Sequence, residues 1–238
     1  MKIFKSSKEE NQWMSISDLM SVLMMIFLFI SIVYMRSVNQ EKGEITSIAQ
    51  TYEETQVEIT HDLKEEFAKN LQIWNAVLDS LTLSIRFENP DILFKVGSAE
   101  LNDHFKSILD SFFPRFIQIL TDIKYKNAIE EIRIEGHTSS EWNGEPSSRQ
   151  AYFNNMELSQ DRTRKVLEYI LSHIKDEELF RWTKSKLTAN GLSSSKLIYN
   201  NDQTENQERS RRVEFKIKTN AEKQIIKILE QSKRLKFK

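Results

Sequence analysis

Two sets of residues in this 238-residue chain have types and spacings suited to chemistry. The first is a lone carboxylate, Asp18, inside an apolar run. From Ile16 to Met35 nearly every other residue is apolar or a small hydroxyl. An acid at the centre of a membrane span costs roughly 2.5 to 3.5 kcal/mol, and less toward either end, where Asp18 lies. Two readings are open. Asp18 caps a helix near the headgroups, with Ser15 and Ser17 beside it. Alternatively it sits just inside the membrane against a protein partner and binds and releases a proton, because carboxyls withdrawn from water favour the neutral form. A single span makes no proton path alone, so the second reading requires a multi-span partner or an oligomer.

The second set is suited to binding. A run ending in Gly136-His137-Thr138 precedes Asn155, Leu158-Ser159 and Arg162. If a strand ends at His137 and a helix begins near Leu158, the two converge at one edge of a sheet. Free N–H groups at that helix start favour a carboxylate. Arg162 grips the same carboxylate in a bidentate fork. Asn155 offers a donor and an acceptor to an amide. Arg211 and Arg212 open the last strand and read equally as ligand contacts or as structural ion pairs. His61, His104 and His173 lack metal-ligand spacing, and His137 reads as an orienting hydrogen-bond residue rather than a metal ligand. No phosphate-binding glycine loop or Ser/His/Asp arrangement occurs. The expectation is a protein without a cofactor or metal and without enzymatic chemistry.

These residues need elements to position them. Residues 13–36 read as one uncleaved membrane helix, since a bilayer core of about 30 Å takes about 20 residues. Residues 1–12 form a short polar segment. Lys2, Lys5 and Lys8 precede the span against Arg36 and Lys42 after it, which favours a cytoplasmic N-terminus. Residues 37–80 carry apolar positions at steps of three, four and seven: Ile45, Ile48, Tyr52, Ile59, Leu63, Phe67, Leu71, Trp74, Leu78 and Leu81. They read as a helical linker, paired with a second copy as in a coiled coil or packed on its own domain. Residues 81–218 read as a domain. Strands are expected at 81–88, 129–135, 186–189 and 212–217. Helices are expected from Gly97 through Leu120, kinked or restarted at Pro114, and at 158–174, with a short one at 203–210. This order predicts an α+β fold, βαβαβ, with helices on one face of a mixed sheet. Residues 219–238 are basic, and read as a terminal helix on the domain or as a tail touching anionic polymer or lipid. A net charge of −1 gives no case for nucleic acid, and the absence of cysteine excludes disulfides and thiolate metal sites.

Trp13-Met14, Ser17-Asp18-Leu19-Met20, Leu23-Met24 and Phe27-Leu28-Phe29 resemble the membrane helix of MotB-type stator subunits, and the run Ser17–Met35 is closer still to the MotB-like subunits of Zorya anti-phage systems. The resemblance implies that Asp18 binds the coupling proton and that a ring of MotA-like (ZorA-type) multi-span subunits surrounds two copies of the helix. It also implies a channel-controlling plug in the linker. A second resemblance, to the OmpA-like peptidoglycan-binding domain, rests on Ile134-Glu135-Gly136-His137-Thr138, Asn155, Leu158-Ser159, Arg162, Ala189-Asn190-Gly191-Leu192 and Glu208–Phe215. It implies that Asn155, Leu158 and Arg162 contact the peptide stem of peptidoglycan, with His137, Thr138, Ser159 and Arg211 around them. The soluble part would then lie in the periplasm of an inner-membrane protein. In that family an Asp that pairs with the stem's ammonium follows His-Thr. Here the position is Ser139, Glu141 is the nearby acid, and Trp142–Arg149 is an altered loop. A flagellar stator subunit and a passive membrane-to-wall tether are the rival functions.

Overall fold

The computed structural model describes residues 6–88, 93–95, 98–144, 147–220, 223 and 226. Gly97, at the expected helix start, and nearly all of the basic 219–238 segment lie outside these residues, as do Lys2 and Lys5 of the charge argument. The chain divides into two compact units, residues 1–50 with 223–238, and residues 51–222. Helix α1 (Ser6–Leu71) contributes to both.

In the first unit, Ile16–Ser47 is long and apolar enough to cross a membrane. Leu19, Met24, Phe27, Phe29 and Met35 are all exposed. A helix that is apolar on every side has no water-facing stripe and suits lipid or a surrounding partner. Two of its serines are satisfied within the helix, Ser21 Oγ donating to Ser17 O and Ser31 Oγ to Phe27 O, both at 2.8 Å. Helix α1 already begins at Ser6, so Asp18 lies roughly three turns inside it. The helix-cap reading of Asp18 is therefore corrected: no free N–H end lies beside it.

The second unit is built on a five-stranded sheet, in the order β1 (Ala76–Asp79), β2 (Ser84–Glu88), β5 (Arg212–Thr219), β3 (Ile129–His137), β4 (Leu187–Gly191). β3 and β4 are parallel and the other pairs antiparallel. Between the strands run α2 (Asp103–Leu120), α3 (Ser148–Ser172), α4 (Glu177–Lys186) and the short α5 (Gln207–Ser210). Phe112 of α2 lies 5.1 Å from Phe87 of β2 and 5.1 Å from Phe215 of β5, ring centre to ring centre. Gly136 of β3 pairs across the ladder with Val213, on the Phe215 face, and backs onto α3. Both long helices thus cover one face of a mixed sheet, the α+β arrangement expected.

Four expectations are corrected. The linker stripe ends early. α1 stops at Leu71, and Asn75, with a φ of 50°, turns the chain into the β1–β2 hairpin. Trp74 is buried from that turn, whereas Leu81 is 89% exposed at the hairpin tip. Helical spacing continued past the helix only by coincidence. Second, Ile59, Leu63 and Phe67 are fully buried in the domain core, with Phe67 5.3 Å from Phe112. That part of the stripe packs on its own domain. The side chains of Ile48 and Tyr52 lie outside the described residues. Third, α2 starts at Asp103, where Asn102 Oδ1 accepts from His104 N, and runs unbroken past Pro114. Fourth, α3 starts at Ser148, capped by Ser147 Oγ on Gln150 N. Leu158–Arg162 therefore sit mid-helix, where backbone N–H groups are already bonded.

Candidate functional site

The site residues divide between the two faces of the sheet. On the helix side, Gly136 and Gly191 are register partners on β3 and β4. A Cβ on Gly136 would lie 2.7 Å from Thr163 Cγ2 and 2.8 Å from Ser159 O, and one on Gly191 would collide with the backbone of Gln160. Two glycines side by side let α3 lie directly on the strands. That approach brings Asn155 to the loop that follows β3 and Ser159 to the loop that follows β4, while Arg162 lies against the segment before α2.

Asn155 is buried and donates through Nδ2 to Ser139 O and Glu141 O, both at 3.1 Å. It shapes the loop. Ser159 Oγ accepts from Ser193 N at 3.0 Å, Ser193 Oγ donates to Tyr152 O at 2.7 Å, and Thr138 N donates to Ser193 O at 3.0 Å. From the far side, Glu205 accepts from both N and Oγ of Ser140. Thr138 Oγ1 is buried without a hydrogen-bond partner among the described residues. Leu158 is half-buried on the same helix. Arg162 donates from Nε to Ser98 O at 3.1 Å, and its guanidinium lies 4.7 Å over the Phe94 ring. These contacts fix the plane of the fork. Without a helix start at this place, the backbone of Leu158–Arg162 offers no free N–H end.

His137 lies on the other face. It pairs across the ladder with Arg212, and Glu135 pairs with Glu214. Its imidazole is 2% exposed, with Nε2 at 3.8 Å from both Glu135 Oε2 and Glu214 Oε1. Neither ring nitrogen has a hydrogen-bond partner among the described residues, so the orienting role is corrected. Burial, reinforced by the positive charges of Arg212 and Lys216, pushes its pKa down to about 3. The imidazole is neutral and separated by the sheet from Arg162. Burial pushes Glu135 up. Glu135, His137 and Glu214 present ligand atoms within 4.8 Å of one another. The cation among them is Arg212, which donates from Nε to Glu214 Oε1 at 2.6 Å and from Nη1 to Lys196 O and Ser210 O. This is an ion-pair network that fixes the sheet's end. Arg211 turns back to Gln207 O at the end of α5.

Sequence reading missed Ser193, Glu205 and Phe94 as parts of the site. They come from loops whose register no periodicity reveals. It also missed α4, although Asp176 with Glu177-Glu178 at the start and Lys184 and Lys186 at the end are ordinary helix boundary signals.

The OmpA family profile matches residues 93–211. The Zorya protein ZorB of Escherichia coli strain Crooks is 48% identical over 227 residues, covering 95% of this chain and 96% of that protein. Among solved structures, a putative MotB-like protein from Desulfovibrio vulgaris aligns at 25% identity over 76% of this chain and 99% of its own, with a TM-score of 0.43. The cell wall anchor of the T6SS from Pseudomonas aeruginosa aligns at 21% identity over 66% and 96%, with a TM-score of 0.45. The chain belongs to the ZorB family of Zorya proteins and carries an OmpA-family domain.

Proposed function

We propose that the chain is the peptidoglycan-anchored B subunit of a proton-driven, MotA/MotB-like motor of the inner membrane, acting in anti-phage defence. One observation carries the reading. A carboxylate, Asp18, sits near the start of the apolar stretch of α1, about three turns past the beginning of the helix, and the same chain carries an OmpA-family domain. A lone acid in such a helix is costly unless it works against a partner. Two copies of the span stand within a ring of MotA-like subunits. Asp18 takes a proton from the periplasmic side and releases it to the cytoplasmic side. Each event changes a charge at the contact between helix and ring, so the two arrangements exchange stability and the ring steps. The N-terminus is cytoplasmic and the domain periplasmic.

Torque requires a fixed element, and the domain supplies it. Arg162 pairs with a carboxylate of the peptide stem, Leu158 packs on its aliphatic part, and the loop shaped by Asn155 and Ser159 presents backbone amides. His137, on the opposite face of the sheet, lies outside this site and serves the fold. The N-terminal half of the linker is the candidate plug.

The test is proton flux. The chain is co-purified with its multi-span partner, reconstituted in liposomes and followed with a pH-sensitive dye. Flux lost on Asp18→Asn supports coupling. Unchanged flux refutes it and leaves a passive tether.

A further inference from the structure

The sheet face turned away from the long helices carries charged side chains in rows. Across β5 and β3, Arg212 stands opposite His137, Glu214 opposite Glu135, and Lys216 opposite Arg133. On the other flank of β5, Glu88 of β2 stands opposite Arg212 and Arg86 opposite Glu214. Two carboxylates directly opposite on paired strands repel each other. Here both residues are buried, Glu135 at 7% and Glu214 at 8% exposure. Most of the neighbouring cations are committed to other acids. Arg86 lies between Asp79 and Glu88, Arg133 lies on Glu131, and Arg212 lies on one oxygen of Glu214. Lys216 opposes the rise that burial imposes on the Glu135 carboxyl.

His137 points into this pair of acids. Its imidazole is 2% exposed, and neither ring nitrogen has a hydrogen-bond partner among the described residues. Nε2 is 3.8 Å from both Glu135 Oε2 and Glu214 Oε1. That separation is too long for a hydrogen bond. It is near the spacing of two atoms bound to one ion, because bonds of about 2.0–2.2 Å at tetrahedral to trigonal angles set ligands about 3.3–3.8 Å apart. The three ligand atoms lie within 4.8 Å of one another, so small rotations of the glutamate ends close the set. A dication there satisfies the orphaned nitrogen and cancels the repulsion between the carboxylates. Arg212, itself anchored on Lys196 O and Ser210 O, then holds Glu214 in place behind the ion.

We propose that Glu135, His137 and Glu214 bind one divalent transition-metal ion such as Zn2+, which ties β3 to β5 at the end of the sheet. One imidazole nitrogen with two carboxylate oxygens favours such an ion over magnesium and calcium, which take oxygen ligands. A water completes four-coordination. The site stands apart from the motor and wall readings and does not depend on either.

The test uses the full untagged chain in detergent, stripped with a chelator and then supplied with Zn2+, Co2+, Mg2+ or Ca2+ alone. Zn2+ at about 100 times its Kd is expected to raise Tm by about 5–10 °C, and Mg2+ and Ca2+ to leave it unchanged. Co2+ is expected to bind at one equivalent per chain with visible absorption bands that Zn2+ displaces. Glu135→Gln and His137→Gln, both close in shape to the native side chains, are each expected to weaken Co2+ binding at least about tenfold. His173→Gln, at an exposed histidine outside the cluster, is expected to bind as the wild type does. Absence of Co2+ bands or of a Zn2+ shift in the wild type overturns the proposal whether or not the variants fold. So does binding that survives both Glu135→Gln and His137→Gln, binding lost in His173→Gln, or an equal shift with Mg2+ or Ca2+.

Discussion

Gly136→Ala is a small change with a calculable effect. The new methyl would sit 2.7 Å from Thr163 Cγ2 and 2.8 Å from Ser159 O. Ordinary contact begins near 3.5 Å, so α3 must move away from β3. Overpacking of this kind costs about 1–3 kcal/mol. Alanine also restricts the unfolded chain, which returns about 0.4–1 kcal/mol. At the midpoints of these ranges the net loss is about 1.3 kcal/mol, or about 3–5 °C in Tm for a domain of this size. Thr163→Ser removes Cγ2 while keeping the hydroxyl that bonds Ser159 O and Gln160 O. The double variant Gly136→Ala/Thr163→Ser is therefore expected to recover part of the loss, the clash with Ser159 O remaining. Gly191→Ala meets backbone atoms of Gln160, which no side-chain change relieves. It is expected to be the more damaging of the two. Tryptophan fluorescence during heating of the full chain in detergent measures all four proteins. An unchanged Tm in Gly136→Ala, or no recovery in the double variant, refutes the direct seating of α3 on the strands.

Arg162→Ala is expected to abolish sedimentation of the full chain with purified sacculi, and Arg162→Lys to restore little, because an ammonium lacks the planar fork; retention that survives both removes Arg162 from the site. His137 has a folded pKa of about 3 against an ordinary value of 6.5, so the unfolded chain binds more protons between them. Stability therefore falls as pH drops through that window, by at most about 1.4 kcal/mol per pH unit. Glu135, pushed up by burial, acts in the opposite direction. His137→Gln is expected to lose less Tm than the wild type between pH 7 and 5, and equal losses would contradict a buried neutral imidazole. Tyr125→Phe removes a 2.7 Å hydrogen bond to Asp62 that ties α1 to the turn after α2, and is expected to cost about 1 kcal/mol in thermal unfolding. In a chain without cysteine, Ile48→Cys is expected to trap a disulfide-linked dimer in membranes, and exclusively monomeric species would reject the paired linker.

The span, four of the five strands and helices α2 and α3 were legible because burial imposes a period on the sequence, whereas β1 and α4 were missed. Ile132 and Ile134 on β3, and Phe112 and Phe116 on α2, follow that rule. The linker shows its limit. Trp74 and Leu81 keep helical spacing with Phe67 and Leu71, but Asn75 in a left-handed conformation ends the pattern, and spacing does not encode a turn. At the site, the residue types were legible and their roles were not. His137 follows Gly136 directly, yet strand alternation sends it to the opposite face, into a network with Arg212 and Glu214. Asn155 reads as a ligand group in sequence, and the structure commits its donor to two loop carbonyls. Glu205 reaches Ser140 across 65 positions, a contact that only the folded domain creates.

The central claim is that Asp18 couples ion flow to defence from a wall-anchored position. Its most direct test is plaque formation by a phage panel on cells carrying the native operon, with wild-type chain or Asp18→Asn at equal membrane levels. The account predicts protection by the wild type and none by the substituted strain. Protection undiminished in Asp18→Asn would contradict it.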